Sequence, residues 1–158
     1  MLSHAAGISC FAEYAVVDQR SVVKIPKDTP FEDAAMCGCA VVTGVGAVLN
    51  TANLIAGKTM AVFGLSGVGL NSVMAGVIAG FKTLIAADLH DKKLALAREL
   101  GADYVINANS PDIIDAIKDL SGGGVKHAFE MVGTVEAMRL ACSSLRIGGV
   151  LTSAGLAP

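Results

Sequence analysis

The segment 59–88 constrains the fold of this chain more than any other. It opens with the apolar run Thr59 to Phe63, passes through glycines at positions 64, 67 and 69, and carries no charged residue until Lys82. A second apolar run then ends on Asp88. Strand, glycine turn, helix, strand and terminal acid is the order of a βαβ unit that binds the pyrophosphate of a dinucleotide at its helix N-terminus.

The glycine turn departs from the pattern G-x-G-x-x-G at one position. It reads Gly64-Leu65-Ser66-Gly67-Val68-Gly69, so that Ser66 stands where the middle glycine lets the backbone approach the pyrophosphate. The Cβ of Ser66 predicts weaker binding or a shifted loop, and we expect Ser66→Gly to tighten the binding of NAD. A tight strand-to-helix turn without a ligand is the alternative interpretation of these residues.

Asp88 predicts which dinucleotide binds. It follows Gly64 by 24 residues, near the distance at which an acid accepts hydrogen bonds from the adenosine ribose hydroxyls. The same carboxylate repels a 2′-phosphate, which favours NAD over NADP. The alternative role for Asp88 is to cap the turn that follows its strand.

Composition allows two classes of protein. Apolar residues make up 53% of the 158 residues and charged ones 16%, and the mean hydropathy is +0.61. Two segments without charge, 34–57 and 59–81, are each long enough to span a bilayer. Parallel strands buried on both faces give the same apolar runs, and the later half of the chain is amphipathic, so we expect no membrane span.

Charge and cysteine content bear on the ligands and the cellular location expected for the chain. The formal charge is −2 and no basic cluster occurs, so nucleic-acid binding is not expected. The N-terminus lacks a basic region followed by an apolar core, which predicts no signal peptide. The four cysteines are irregularly spaced, which favours reduced thiols and a cytoplasmic location over a disulfide framework; they are Cys10, Cys37, Cys39 and Cys142.

Taken in order, the chain predicts a parallel sheet. Residues 10–25 alternate and are rich in β-branched side chains, which is typical of antiparallel strands. A helix is expected from Pro30 to about Cys37, and a kinked or renewed helix over 41–53 because glycines interrupt the stretch. Strands are then expected at 59–63, 83–87, 104–106, 125–131 and 149–154, with helices between them. This alternation predicts an α/β fold with a Rossmann-type, doubly wound sheet of about five strands, whereas a complete sheet has six.

Several segments together resemble a known family. FAEYAVVDQRSVVKIP, GCAVVTGVGAVLNTA, AVFGLSGVGLNSVMAG, AADLHDKKLALARELGA and GGVKHAFEMVG, in this order, are similar to the zinc-containing medium-chain alcohol dehydrogenases. The resemblance implies that residues 1–40 are a short β-rich remnant of the catalytic domain. Residues 41–158 would be the NAD-binding domain without its last strand.

The same resemblance implies a function. The intact enzyme would transfer hydride between an alcohol or aldehyde and NAD, would contain zinc, and would be a homo-oligomer. This chain has no Gly-His-Glu motif and no cluster of close cysteines, so we expect it neither to hold zinc nor to turn over alone. A non-catalytic dinucleotide-binding module is the alternative, and a methyltransferase is a third interpretation of the glycine turn.

The resemblance also assigns residues. Cys39 matches a ligand of the catalytic zinc, although in this chain alone a free thiol is expected. Lys93 matches a position that touches the adenosine ribose, and a solvated helix lysine is the alternative. Four residues match positions around the nicotinamide, although from the residues alone they are core or turn positions: Thr43, Val68, Val132 and Ala154. Three histidines show no partner for acid–base chemistry: His4, His90 and His127.

Overall fold

A computed structural model of the chain describes residues 12–51 and 57–156. The chain divides into two compact units, Met1–Ala34 and Ala35–Pro158. The second unit contains the whole sheet. The predicted division of domains between residues 40 and 41 stays a prediction.

The second unit is built on five parallel strands, β1 (Thr59–Phe63), β2 (Thr83–Asp88), β3 (Tyr104–Asn107), β4 (Val125–Glu130) and β5 (Leu145–Ser153). Their order across the sheet is β3-β2-β1-β4-β5. β1 therefore lies in the centre, with Thr59 opposite Thr83 of β2 and Met60 opposite His127 of β4. This arrangement confirms the predicted α/β fold with a doubly wound parallel sheet.

Helices alternate with the strands, as the sequence predicts. They are α1 (Phe31–Thr51), α2 (Gly67–Ile78), α3 (Asp91–Glu99), α4 (Ile113–Ser121) and α5 (Val135–Ser143). Gly101 and Gly122 follow α3 and α4 with positive φ angles of 107° and 71°, the left-handed geometry that glycine adopts most easily at helix ends. β5 begins at Leu145, before the expected start at Gly149.

Two apolar layers cover the two faces of the sheet. Alternate residues of β1 point to opposite faces, and all of its last four are at most 2% exposed. Met60 and Val62 pack with α2 and α3 on one face, whereas Ala61 and Phe63 pack with α4 and α5 on the other. Because the central strands are buried on both faces, they read as unbroken apolar runs, which accounts for the high mean hydropathy.

The expectation of a renewed helix after residue 37 is wrong, whereas its alternative, a kinked helix, stays a prediction. α1 runs without a break over Phe31–Thr51 and accommodates the glycines in two wide π-helical turns, Cys37–Val41 and Ala47–Thr51. Gly44 serves close packing, because a Cβ there would lie 2.3 Å from the carbonyl oxygen of Val68 on α2.

α1 is also the one helix in the described part of the chain that is long and apolar enough to cross a membrane. Its mean hydropathy is 1.6, and 17% of its most apolar window is buried. Ala47 and Val48, near its end, are buried in the core beside α2. That end of α1 therefore packs as a core helix does, and the absence of a membrane span stays a prediction.

The predicted antiparallel strands are not found in residues 12–25. Residues 10 and 11 lie outside the described residues, and the remainder contains only a 3₁₀ turn, Gln19–Ser21. Asp18 accepts a hydrogen bond from the Arg20 backbone N–H (2.8 Å) and forms an ion pair with its guanidinium. This local turn interrupts the extended run, and the alternating Tyr14 and Val16 side chains stay exposed because no strand among the described residues pairs with this segment.

Candidate dinucleotide-binding site

A cavity of about 860 Å³ opens at the carboxyl ends of the central strands. Its walls include segments at the ends of β1 to β4, residues 64–66, 88–90, 108–111 and 131–132, together with side chains of α4 and α5. The chain continues from β1 to β2 on one side of the sheet and later returns to β4 on the other. The cavity therefore lies at the topological switch point, where doubly wound sheets bind their ligands.

The glycine turn joins β1 to α2 with its backbone atoms in close contact. Gly64 has a φ of +89°, which side chains rarely adopt. A Cβ on Gly69 would lie 1.8 Å from the carbonyl oxygen of Gly64, which no real side chain tolerates. These two glycines let α2 begin directly behind the turn, which places the first N–H groups of the helix near the carboxyl end of β1.

Ser66 is the residue immediately before α2, and it lines the cavity. Its φ of −83° and ψ of −168° are extended values that any residue adopts. The side chain makes no capping hydrogen bond to the helix. The backbone thus accommodates serine without strain at this position, and its effect on affinity stays a prediction.

Asp88 connects the end of β2 to the glycine turn. Its side chain is 7% exposed, and its Oδ2 accepts a hydrogen bond from the Leu65 N–H at 2.7 Å. Its Oδ1 accepts another from the His90 N–H at 3.0 Å. Burial alone would raise the pKa of Asp88, but these two N–H groups and the charge of Lys93 outweigh burial and lower the pKa below its ordinary value.

Lys93 lies on the first turns of α3, on the side that faces Asp88. Its Nζ is 3.6 Å from Oδ2 of Asp88, and both residues line the cavity. The lysine side chain is 41% exposed, so solvent screens its charge. An ionised Asp88 with a partly solvated cation beside it can accept hydrogen bonds from two adjacent hydroxyls, as a ribose presents them.

Glu130 occupies the equivalent place at the end of β4, on the other side of β1. It is fully buried, and its Oε1 accepts hydrogen bonds from the N–H groups of Val132 and Gly133, both at 2.7 Å. Glu130 was not predicted from the sequence. The available signal was an acid at the end of a strand, three positions before Gly133, as Asp88 also ends a strand.

The predicted residues fall into two groups. The cavity is lined by Gly64, Ser66, Asp88, Lys93 and Val132. The others do not line it: Gly67, Val68 and Gly69 form the start of α2, Thr43 lies on α1, and Ala154 follows β5. Ala154 is nevertheless close, because its N–H donates to the carbonyl oxygen of Glu130 at 3.0 Å. The roles predicted for these residues in binding a cofactor stay predictions.

Cys39 lies exposed in the first π-helical turn of α1, two residues after the exposed Cys37. Cys10 and His4 lie outside the described residues. Within residues 12–51 and 57–156, no three side chains of His, Cys, Asp or Glu come together as a metal site. A protein zinc site needs at least three such ligands, so the described residues do not by themselves fit this metal.

His127 and His90 differ in their surroundings. His127 on β4 is buried between Phe81 and Phe129, and neither of its ring nitrogens has a hydrogen-bond partner. Burial, with a smaller contribution from the charge of Lys126, lowers the pKa of His127. His90 lines the cavity and is exposed.

Comparison with known proteins identifies a matching protein family and similar solved structures. A family profile described as zinc-binding dehydrogenase matches residues 67–158. An alcohol dehydrogenase zinc-binding domain protein from Burkholderia ambifaria is 39% identical, with a TM-score of 0.89 over 96% of this chain and 41% of that chain. Benzyl alcohol dehydrogenase from Acinetobacter calcoaceticus is 35% identical, with a TM-score of 0.88 over 96% of this chain and 41% of that one.

A third solved structure, an alcohol dehydrogenase from Thermus sp. ATN1, is 26% identical with a TM-score of 0.78. The match covers 85% of this chain and 39% of that one. This chain therefore spans about two-fifths of the length of these relatives, as the 41% and 39% coverages show.

Proposed function

The chain belongs to the zinc-binding dehydrogenase family, and from this premise we propose that it binds NAD as the dinucleotide-binding part of an oxidoreductase. The glycine turn and the start of α2 would hold the pyrophosphate, with Gly64, Ser66, Gly67, Val68 and Gly69 as its residues. Asp88 and Lys93 would hold the adenosine ribose. Thr43, Val68, Val132 and Ala154 would surround the nicotinamide.

One observation carries this proposal: Asp88 accepts a hydrogen bond from Leu65 inside the glycine turn. The carboxylate and the turn are 23 positions apart in sequence, yet they form one wall of the same cavity. A dinucleotide needs these two features side by side, because its ribose and pyrophosphate are adjacent. Each carboxylate oxygen also retains acceptor capacity beyond the backbone N–H that it already binds.

We propose that the whole protein oxidises an alcohol or reduces an aldehyde, as the names of its relatives indicate for those proteins. Bound NAD supplies the ring that exchanges hydride. The described residues bind and orient that cofactor. Cys39 would be one ligand of a zinc ion in such an enzyme, although the described residues form no group of three that could hold the metal. We propose that the whole protein is a cytoplasmic homo-oligomer.

Calorimetric titration with NAD tests the proposal, with Gly69→Ala as the disruptive variant. The added Cβ would lie 1.8 Å from the carbonyl oxygen of Gly64, so the turn must move and NAD binding should be lost. Gly38→Ala is the matched control, since the same change there meets no atom within 4 Å. Absence of NAD binding by the wild-type chain, or binding of S-adenosylmethionine instead, contradicts the proposal.

A non-catalytic dinucleotide-binding module is the second candidate. The observation that favours it is that no three metal-ligating side chains meet among the residues that the structure describes. Both candidates predict NAD binding. Formation of NADH on addition of a primary alcohol separates them, because only the first requires turnover by the whole protein.

A further inference from the structure

The buried carboxylate of Glu130 holds together two chain segments at one side of the cavity. Its Oε1 accepts the N–H groups of Val132 and Gly133, each at 2.7 Å. Its Oε2 accepts the hydroxyl of Ser153, the last residue of β5, at 2.8 Å. Three donors from two neighbouring strand ends therefore converge on a single fully buried side chain, which does not itself line the cavity.

The two segments are in close contact. A Cβ on Gly155 would lie 2.1 Å from the backbone nitrogen of Gly133 and 2.7 Å from Oε2 of Glu130. Ala154, between Ser153 and Gly155, donates its N–H to the carbonyl oxygen of Glu130 at 3.0 Å. A displaced Glu130 side chain would release two N–H groups after β4 and the Ser153 hydroxyl at the end of β5.

The position of this carboxylate relative to Asp88 assigns its role. Val132 lines the cavity on the β4 side of β1, whereas Asp88 lines it on the β2 side. A dinucleotide bound at a switch point places its two halves on opposite sides of the central strand. If the adenosine ribose meets Asp88, the nicotinamide half lies over the ends of β4 and β5.

We infer, on the basis of the proposed function, that Glu130 is a positioning residue for the nicotinamide half of NAD. Its carboxylate holds the N–H groups of Val132 and Gly133 and the hydroxyl of Ser153 in place at that end of the cavity, and it does not touch the cofactor. The adenosine ribose is assigned to Asp88, which shares no hydrogen bond with Glu130.

The chemistry of the three donors predicts a graded response to substitution. Glutamine can keep one oxygen on the two N–H groups and donate its amide to the Ser153 oxygen, so Glu130→Gln retains the shape but loses charge-assisted hydrogen bonds. Alanine leaves the two N–H groups without this acceptor and leaves the Ser153 hydroxyl only its 3.5 Å contact with the Gly155 carbonyl oxygen. The loss should therefore increase from Glu130→Gln to Glu130→Ala, with Ser153→Ala affecting only one of the three bonds.

The test compares NAD with ADP-ribose, which lacks the nicotinamide ring, by calorimetry on the full chain. Glu130→Gln should weaken NAD binding by about tenfold and leave ADP-ribose binding unchanged. Amide hydrogen exchange at Val132 and Gly133 should accelerate in the same variant. If Glu130→Ala does not fold, Glu130→Gln and Ser153→Ala still carry the comparison.

Ser144→Ala is the matched control for Ser153→Ala. Ser144 is fully buried, whereas Ser153 is exposed. The Ser144 hydroxyl donates to the Ala141 carbonyl oxygen at 2.8 Å, at the opposite end of β5. It should lower the melting temperature without changing the ratio of the NAD and ADP-ribose dissociation constants. A Glu130 variant that weakens both ligands equally, or neither, overturns the inference and leaves the proposed function standing. A wild-type chain that binds neither ligand overturns both.

Discussion

The substitution Asp88→Asn isolates the charge of the residue that we place at the adenosine ribose. Asp88 is 7% exposed and already accepts N–H groups at 2.7 and 3.0 Å. Asparagine keeps the size of the side chain but has only one oxygen, and its amide donor would face an N–H or a ribose hydroxyl. Losing a charge-assisted hydrogen bond costs roughly 1.5–3 kcal/mol, so NAD binding should weaken by roughly 10- to 150-fold.

NADP should respond in the opposite direction. Two unit charges 4 Å apart repel by about 4 kcal/mol at an effective dielectric constant of 20, and a 2′-phosphate would approach Asp88 at such a distance. Lys93, 3.6 Å from Oδ2, offsets part of this repulsion, but its 41% exposure weakens the effect. Removing the Asp88 charge leaves Lys93 available to the phosphate, so the preference for NAD over NADP should fall on the order of 100-fold.

Titration calorimetry with both dinucleotides measures this preference, and Asp103→Asn is the control. Asp103 also accepts a backbone N–H, that of Leu84 at 2.8 Å, but at the amino end of β2 and away from the cavity. The control should lose stability and keep the NAD preference. If Asp88→Asn binds NAD and NADP in the wild-type ratio, the assignment of Asp88 to the ribose is wrong.

Two further predictions concern His127 and Ser66. Burial holds the pKa of His127 below its ordinary value of 6.5, so the unfolded chain binds a proton at this residue more readily than the folded chain does. The resulting contribution to stability is present above pH 6.5 and is lost as the pH falls below it. His127→Leu should make the free energy of unfolding fall less steeply below pH 6.5. For one proton, the slope of this fall is at most about 1.4 kcal/mol per pH unit. Urea titrations at a series of pH values measure the slope, and an unchanged slope contradicts the prediction. Ser66→Gly should lower the NAD dissociation constant in calorimetry, since it removes the Cβ at the middle position of the turn, and an unchanged or higher constant refutes the steric argument.

The βαβ core could be predicted because its signals are local. The unbroken apolar runs at β1 and β2 follow from burial on both faces. Gly69 follows from its contact with Gly64, and Gly64 has a positive φ of 89° in the turn. Asp88 could be found because the length of the intervening helix sets its distance from the turn. Each of these features can therefore be recognised from a pattern within a short stretch of sequence.

The failures come from partners that are remote in sequence. Alternation in residues 12–25 indicates a strand only if another strand pairs with it, and the described residues provide none. Gly44 looked like a helix breaker, yet it lets α1 pack closely against α2. A Cβ on Gly44 would lie 2.3 Å from the carbonyl oxygen of Val68, so a side chain there would prevent this contact. Composition alone does not distinguish a glycine that ends a helix from one that permits close packing.

Glu130 went unpredicted for the same reason, although it is placed like Asp88. Both acids end a buried strand next to β1, and both accept N–H groups from a turn at the cavity edge. Asp88 bonds back to the glycine turn, which precedes it at a standard spacing, whereas Glu130 bonds to its own following turn and to Ser153 at the end of β5. That second contact exists only because β4 and β5 are neighbours in the sheet. Burial then separates their roles: Asp88 retains access to the cavity and can touch a ligand, whereas Glu130, fully enclosed, can act on a ligand only through the backbone that it holds.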